Sequence, residues 1–421
     1  MRPSLGAART ACHAAGGDAS FSALHRVSFR SGRHIVADPI FTEEHDLIRA
    51  QLRRFVEEEV KPQGPKWEEA GFVPRDVLAR MGKLGFFGLR VPEALGGAGL
   101  DARASVVLAE EVGRSTHGGF AITVLVHTDM ASPHLVRFGT KRQLEKYMPG
   151  VIAGKTITAV GVTEPGAGSD VAGIRMRAVR DGNHYVLNGA KMFITNGVYG
   201  DLYFIAAKTD PEAKGSRAIT MFIVEKGTPG FRVGRALDKT GWRSSDTAEL
   251  VFEDCRVPAE NVLGEENRGF YSIMANFQTE RLVIGAMAMA EAREAIRLTF
   301  DYANQRTAFG QPLWDKQAIR QRLSRRLAEV EAARQLVHHT AWLDAEGRDC
   351  VAQVSMVKAL AGDLVNEVLY DCVQFHGGMG FMRETAVERM SRDARVQAIG
   401  GGASEVMLEE IAKRFGAVVA D

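Results

Sequence analysis

The chain has 421 residues, of which 45% are hydrophobic, 53 are Lys or Arg and 52 are Asp or Glu. That length exceeds what one hydrophobic core usually serves, so two or three domains are expected. A net charge of +1 gives no field to recruit nucleic acid or an anionic membrane, which leaves small molecules and proteins as partners. The longest apolar run, Leu282 to Ala290, is closed by Glu291 and is too short for a membrane span.

In chain order, the first 36 residues carry Arg2, Arg9, Arg26, Arg30 and Arg33 with several Ser and Ala against the single acid Asp18. Such a leader resembles a mitochondrial presequence, and a bacterial extension would look the same. The expected compartment is therefore the mitochondrial matrix or the bacterial cytoplasm, and residues 1–37 are set apart from the fold. Thr42-Glu-Glu-His45 caps a periodic run through Val60 that Pro62 should stop, and helical segments follow at Pro74–Leu84, Arg103–Arg114 and Gly119–Gly139. The character then changes to short β-rich runs: Thr158–Val162, Tyr185–Leu187 after the Asp181-Gly182 turn, Lys191–Thr195, Leu202–Ala207, Ile219–Val224 and Ala248–Phe252. From Gly269 long helices return. The predicted fold class is α+β, with an N-terminal α-helical domain (38–157), a central β-domain (158–268) and a C-terminal α-helical bundle (269–421).

Cys12, Cys255, Cys350 and Cys372 stand singly, with no CxxC pair and no Cys/His cluster at metal-ligand spacing. They read as reduced thiols, and no metal site is expected.

Chemistry concentrates in one helix and four loops. Phe270 to Ala292 is apolar nearly all round, the mark of a buried helix, yet it contains Glu280. The positions that could face it carry Asn276, Phe277, Val283 and Ile284, none of them a cation. A carboxylate in such surroundings has its pKa pushed toward neutrality, as a general base requires; a distant arginine or a water satisfying it would fit the same residues. Thr163-Glu-Pro-Gly-Ala-Gly-Ser-Asp170 offers hydroxyls and free N–H groups suited to a polar ring or a phosphate, and reads equally as a plain Pro-Gly turn. No GxGxxG dinucleotide fingerprint opens a helix. Arg306-Thr-Ala-Phe-Gly310, His376-Gly-Gly-Met-Gly-Phe381 and Gly400-Gly-Gly-Ala-Ser404 join helices, the last just before a helix over Glu405–Phe415. Together these loops outline a protein wrapped around a large, phosphate-bearing, partly aromatic cofactor.

Thr163–Asp170, Lys191–Gly197, Thr247–Pro258, Arg306–Gly310 and Gln374–Phe381 resemble, in order and spacing, the signature blocks of the acyl-CoA dehydrogenase family, and the resemblance covers nearly all of the chain from Asp38 onward. It implies an FAD enzyme that forms an α,β double bond in an acyl-CoA thioester, as in fatty acid β-oxidation, and passes the electrons to electron-transferring flavoprotein. It further implies that Thr163 and Thr195, with Val162, meet the isoalloxazine, that Phe193 lies against it, and that Ser169 serves the diphosphate or the CoA arm. Arg306, Phe309, Gln374 and Gly378 would hold the adenylate half of FAD from a neighbouring subunit of a homotetramer.

Most family members carry the catalytic Glu just before a Gly-Thr pair near the C-terminus, where this chain has Gly401. The long-chain and isovaleryl-CoA branches keep the base in an earlier helix, where Glu280-Arg281-Leu282 matches. Gly401 is then expected to contribute its N–H, with a ribityl hydroxyl of FAD, to the thioester oxygen. Asp254–Pro258, Gly264–Tyr271 and Ile399–Met407 look closer to the long-chain branch, and His117-Gly-Gly119 leaves little side-chain bulk where a deep acyl tunnel would end. The alternatives are a short branched-chain dehydrogenase, an oxidase that passes electrons to oxygen, and a non-catalytic dehydrogenase-like assembly protein.

Overall fold

A computed structural model describes residues 39–210, 212–213 and 215–420. The arginine-rich leader and Cys12 lie outside these residues.

Thr42 and His45 form the expected capping box, His45 Nδ1 meeting both the N–H and the hydroxyl of Thr42, and α1 runs Glu43–Phe55. Pro62 does not stop the chain as predicted. A π-turn over Val56–Val60 leads directly into α2 (Lys61–Ala70), and only left-handed Gly71 ends it. The wider π-turn absorbs the hydrogen bond that proline cannot donate. Helices α3 (Arg75–Lys83), α4 (Ala102–Gly113), α5 (Gly118–Leu125), α6 (Ser132–Phe138) and α7 (Lys141–Ile152) complete the first helical region, with a second π-turn, Val126–Ala131, between α5 and α6. That turn interrupts what the sequence presents as one helix from Gly119 to Gly139.

The middle region is an eight-stranded sheet: β1 (Thr158–Gly161), β2 (Arg177–Asp181), β3 (His184–Thr195), β4 (Leu202–Lys208), β5 (Ile219–Glu225), β6 (Phe231–Ala236), β7 (Thr247–Pro258) and β8 (Val262–Leu263). The order is β6-β7-β3-β2-β4-β5-β8, with β1 paired in parallel to β4. The two runs predicted at Tyr185–Leu187 and Lys191–Thr195 are one strand. β2, β6 and the two-residue β8 lie outside the predicted runs: β2 is mostly exposed with no apolar alternation, β6 alternates only over Phe231–Val233, and β8 is too short to show a period.

The last region comprises α8 (Gly269–Gln305), a small hairpin of β9 (Thr307–Ala308) and β10 (Gln311–Pro312), α9 (Gln317–Ala345), α10 (Val351–His376), α11 (Ala386–Ala394), α12 (Ser404–Ala412) and α13 (Phe415–Ala420). The predicted helix over Glu405–Phe415 is thus two short helices. α8 organises the molecule: one side packs on α4 and the second π-turn, the other on α9, α10 and α11. Its apolar residues are divided between the core of the N-terminal helices and that of the bundle, which explains why it is hydrophobic nearly all round.

Candidate active site

Glu280 lies on α8 opposite the second π-turn and is buried. The residue four positions earlier does reach it: Asn276 Nδ2 donates to Glu280 Oε1 at 2.9 Å and to the carbonyl of Met130 at 2.9 Å. This corrects the expectation of no partner within the helix, but the partner is a neutral amide. Glu280 makes no ion pair among the described residues. Burial lifts its pKa to about 7, against the opposing pull of the Asn276 hydrogen bond and the Arg281 charge. Arg281 leans over Phe277, 5.5 Å from the ring centroid.

Gly401 sits over the next turn of α8. A Cβ built on it would stand 2.4 Å from Ile284 Cδ1, and one on Gly402 would stand 3.6 Å from Arg281 Nε. The Gly400–Gly402 turn therefore covers the 281/284 side of the helix while Glu280 projects from the adjoining side. Gly401 has a φ of +67°, and its N–H finds no acceptor among the described residues. An unpaired donor is thereby held beside the helix turn that bears the buried carboxylate.

The sheet supplies a second group. Between the pairs Lys191↔Leu250 and Ile194↔Ala248, β3 has one residue more than β7. This bulge puts Phe193 at a φ of +62° and throws its ring outward, 66% exposed. The same bulge sends the N–H of Met192 to the carbonyl of Thr163 at 2.9 Å, so Thr163 lies against the stretch of β3 that carries Phe193 and Thr195. The 163–170 loop is held from beneath by a pair the sequence reading missed. Fully buried Lys191 donates to the Val162 carbonyl at 3.0 Å and to Glu164 Oε1 at 2.8 Å, and Glu164 accepts the N–H groups of Arg175 and Met176. Gly166, Gly168 and exposed Ser169 form the open lip of the loop. Thr163–Asp170 is accordingly a braced platform and more than a plain Pro-Gly turn.

Arg306, Phe309, Gln374 and Gly378 gather elsewhere, at the far ends of α8 and α10. Tyr302 stacks on His376 at 4.4 Å and donates its hydroxyl to the His376 carbonyl, joining the two ends. Phe309 and Gly310, both at positive φ, turn the β9–β10 hairpin and leave Phe309 97% exposed. Arg306 is exposed and makes no ion pair among the described residues. The helix between Glu280 and this group is roughly 38 Å long at about 1.5 Å per residue.

Packing bears on two further stretches of the sequence. Cys255, Cys350 and Cys372 are buried free thiols whose pKa values burial raises to about 11, 11 and 12, which disfavours the nucleophilic thiolate. His117-Gly-Gly119 opens no void: a Cβ on Gly118 would meet Trp242 Nε1 at 2.7 Å and one on Gly119 would meet Ser244 Oγ at 2.5 Å. The loop between β6 and β7 occupies the space that the missing side chains leave.

The N-terminal, middle and C-terminal domains of acyl-CoA dehydrogenases match residues 42–155, 159–255 and 267–416. The mitochondrial long-chain specific acyl-CoA dehydrogenase of Mus musculus is 42% identical over 379 residues, covering 89% of this chain and 87% of that protein. The crystal structure of an acyl-CoA dehydrogenase from Geobacillus kaustophilus superposes with a TM-score of 0.87 at 41% identity, covering 89% of this chain and 98% of that one. A glutaryl-CoA dehydrogenase from Mycobacterium smegmatis in complex with FADH2 does so with a TM-score of 0.84 at 29% identity, covering 90% and 96%. With its helix–sheet–helix architecture and these matches along nearly all of its described length, the chain belongs to the acyl-CoA dehydrogenase family.

Proposed function

We propose that this protein removes one hydrogen from each of the α- and β-carbons of a long-chain acyl-CoA thioester, with Glu280 as the base. The observation that carries the reading is Glu280 itself, a buried carboxylate with no ion pair among the described residues and a pKa raised to about 7. An α-proton of a thioester is too weakly acidic for a carboxylate in water, so the site must raise the base's pKa and stabilise the enolate-like charge. The apolar wall of α8 does the first. The N–H of Gly401, without an acceptor among the described residues, does the second by donating to the thioester oxygen. The α-proton moves to Glu280 as the α,β double bond forms and the β-hydrogen departs with its electron pair.

The chain fits FAD. Exposed Phe193 offers an aromatic face beside Thr163 and Thr195 on the braced loop, and Ser169 and the bare glycines leave room and donors for phosphate. Arg306, Phe309, Gln374 and Gly378 form a second exposed cation-and-aromatic patch, and its distance along α8 from Glu280 supports a role toward the FAD of another subunit of a homotetramer. Bound FAD supplies the acceptor for the departing hydride, with electron-transferring flavoprotein as the onward acceptor. The arginine-rich leader favours a mitochondrial matrix or bacterial location.

Long-chain preference rests on the similarity to long-chain relatives. The filled space at Gly118 and Gly119 favours a second reading, a short branched-chain substrate. Anaerobic bleaching of the flavin band by a panel of straight and branched acyl-CoAs decides: no bleaching with any thioester refutes dehydrogenation, and bleaching by isovaleryl-CoA alone refutes the long-chain assignment. Peroxide release without an acceptor would indicate an oxidase.

Two further results are expected. The rate of flavin reduction should rise with pH through about 7, since only the ionised form of Glu280 accepts a proton; a stopped-flow rate flat from pH 6 to 8 would contradict this. Arg306→Ala should yield flavin-poor protein with weakened subunit association and little change in the reduction rate of the loaded fraction. A guanidinium on a diphosphate is worth about 1.5–3 kcal/mol. Flavin content and sedimentation check it.

A further inference from the structure

Lys358 lies on α10 with no part of its side chain exposed, although a lysine in a helix normally reaches water. It makes no ion pair among the described residues. Its ammonium instead donates to two main-chain carbonyls, Gln397 at 2.6 Å and Gly402 at 2.8 Å. These carbonyls bracket the turn that carries Gly401, and a Cβ on Gly401 would stand 3.8 Å from Lys358 Cε. A buried cation is costly, and here its hydrogen bonds are spent on the two ends of one short turn.

We infer that Lys358 is the positioning residue for the oxyanion donor. It spans the Gln397–Gly402 turn from beneath, fixes the Gly401 N–H in the direction of the thioester oxygen, and places a positive charge behind that N–H. The inference rests on the dehydrogenase reading above and deepens it. Binding the carbonyls at both ends of the turn to one ammonium fixes the Gly400–Gly401 peptide between them, and a rigid donor costs no reorganisation when charge develops. The turn does not depend on Lys358 for its existence. Ser404 Oγ donates to Asp363 Oδ1 at 2.8 Å, Asn366 Nδ2 donates to the Ala394 carbonyl at 3.1 Å, and a Cβ on Gly362 would stand only 2.8 Å from the Gln397 carbonyl oxygen. Three ties therefore keep the chain on α10 when the ammonium is removed.

The groups facing Lys358 are Arg281 from α8 and Asp363 from its own helix; behind the turn, Glu291 hydrogen-bonds the Gln397 side chain, and burial pushes its pKa well above the usual carboxylate range. Burial, then Arg281, lower the pKa of Lys358 to about 8.

The test uses the FAD-loaded enzyme carrying Glu280→Gln, whose slowed turnover lets the spectrum of bound palmitoyl-CoA, labelled with carbon-13 at the thioester carbonyl, be recorded by rapid mixing before the flavin is reduced. The infrared carbonyl stretch of the bound thioester should fall below its value in water. Adding Lys358→Met should abolish more than half of that downshift while palmitoyl-CoA still binds, and Lys358→Met alone should slow flavin reduction by about 10²-fold, the usual effect of losing one oxyanion donor. With Lys358 intact, the downshift should shrink as pH rises through about 8, a response a merely structural lysine would not give. An undiminished downshift in the bound Lys358→Met enzyme overturns the inference. Should that variant fail to fold, a downshift constant from pH 7 to 9.5 with Lys358 intact overturns it as well. Absence of any downshift in the Glu280→Gln parent would sink the dehydrogenase reading itself, and the inference with it.

Discussion

Glu280→Gln should remain folded and FAD-loaded while the rate of flavin reduction by acyl-CoA drops by roughly 10²–10⁴, the usual contribution of a positioned general base. The amide matches the carboxylate in shape and can still accept from Asn276 Nδ2, which also holds the Met130 carbonyl. What disappears is the proton acceptor. A near wild-type trace at the flavin band would remove Glu280 from the mechanism. The same substitution has a stability signature of known sign. The folded pKa of Glu280 is raised from 4.5 to about 7, so between these values the native state holds a proton that the unfolded chain releases, and wild-type stability falls as pH climbs through that window. A shift of this size corresponds to about 3 kcal/mol at pH 8. Glutamine stays neutral throughout. The variant should therefore melt higher than wild type at pH 8 and show no such advantage at pH 4, and equal melting temperatures at pH 8 would mean that Glu280 is not strained in the resting enzyme.

That strain explains why the base was readable from the sequence. A carboxylate in an apolar helix violates the local pattern without a visible compensating charge, and such violations concentrate at functional sites. The three-part architecture was readable for a related reason: apolar periodicity changes at Thr158 and again at Gly269, and the physics of strand and helix follows it. Other parts of the site left no such mark. Phe193 looks like an ordinary inward residue of an alternating strand, and only the bulge against Glu249 turns it outward. Nothing in the sequence marks Lys358 or Lys191 as buried, because their partners are main-chain carbonyls and a carboxylate brought near by tertiary packing. Gly118 and Gly119 suggested open space, since the sequence does not show that Trp242 and Ser244 return to fill it. The Asn276–Glu280 contact was within reach of spacing rules, as an amide and a carboxylate four residues apart on a helix can pair; weighing only cations concealed it.

The two family patterns for the base make a sharper demand on Gly401. If Gly401 and Glu280 both border the α-carbon, a carboxylate should work from either place. Glu280→Gly alone should be nearly inactive. Combining it with Gly401→Glu should restore little by itself, for two reasons visible at that position. The φ of +67° costs an L-residue about 1–2 kcal/mol, and the new Cβ would stand 2.4 Å from Ile284 Cδ1. Ile284→Val removes that one atom at a cost of about 0.5–1.5 kcal/mol. The triple variant, Glu280→Gly with Gly401→Glu and Ile284→Val, should therefore recover measurable flavin reduction where the double variant does not. Recovery should stay well below wild type, because a misplacement near 1 Å can cost about 10²-fold, and the added side chain should shift preference toward shorter acyl chains. A folded, FAD-loaded triple variant that bleaches with no acyl-CoA of any length would show that Gly401 does not lie beside the reacting carbon. The oxyanion role assigned to its N–H would then fall with it.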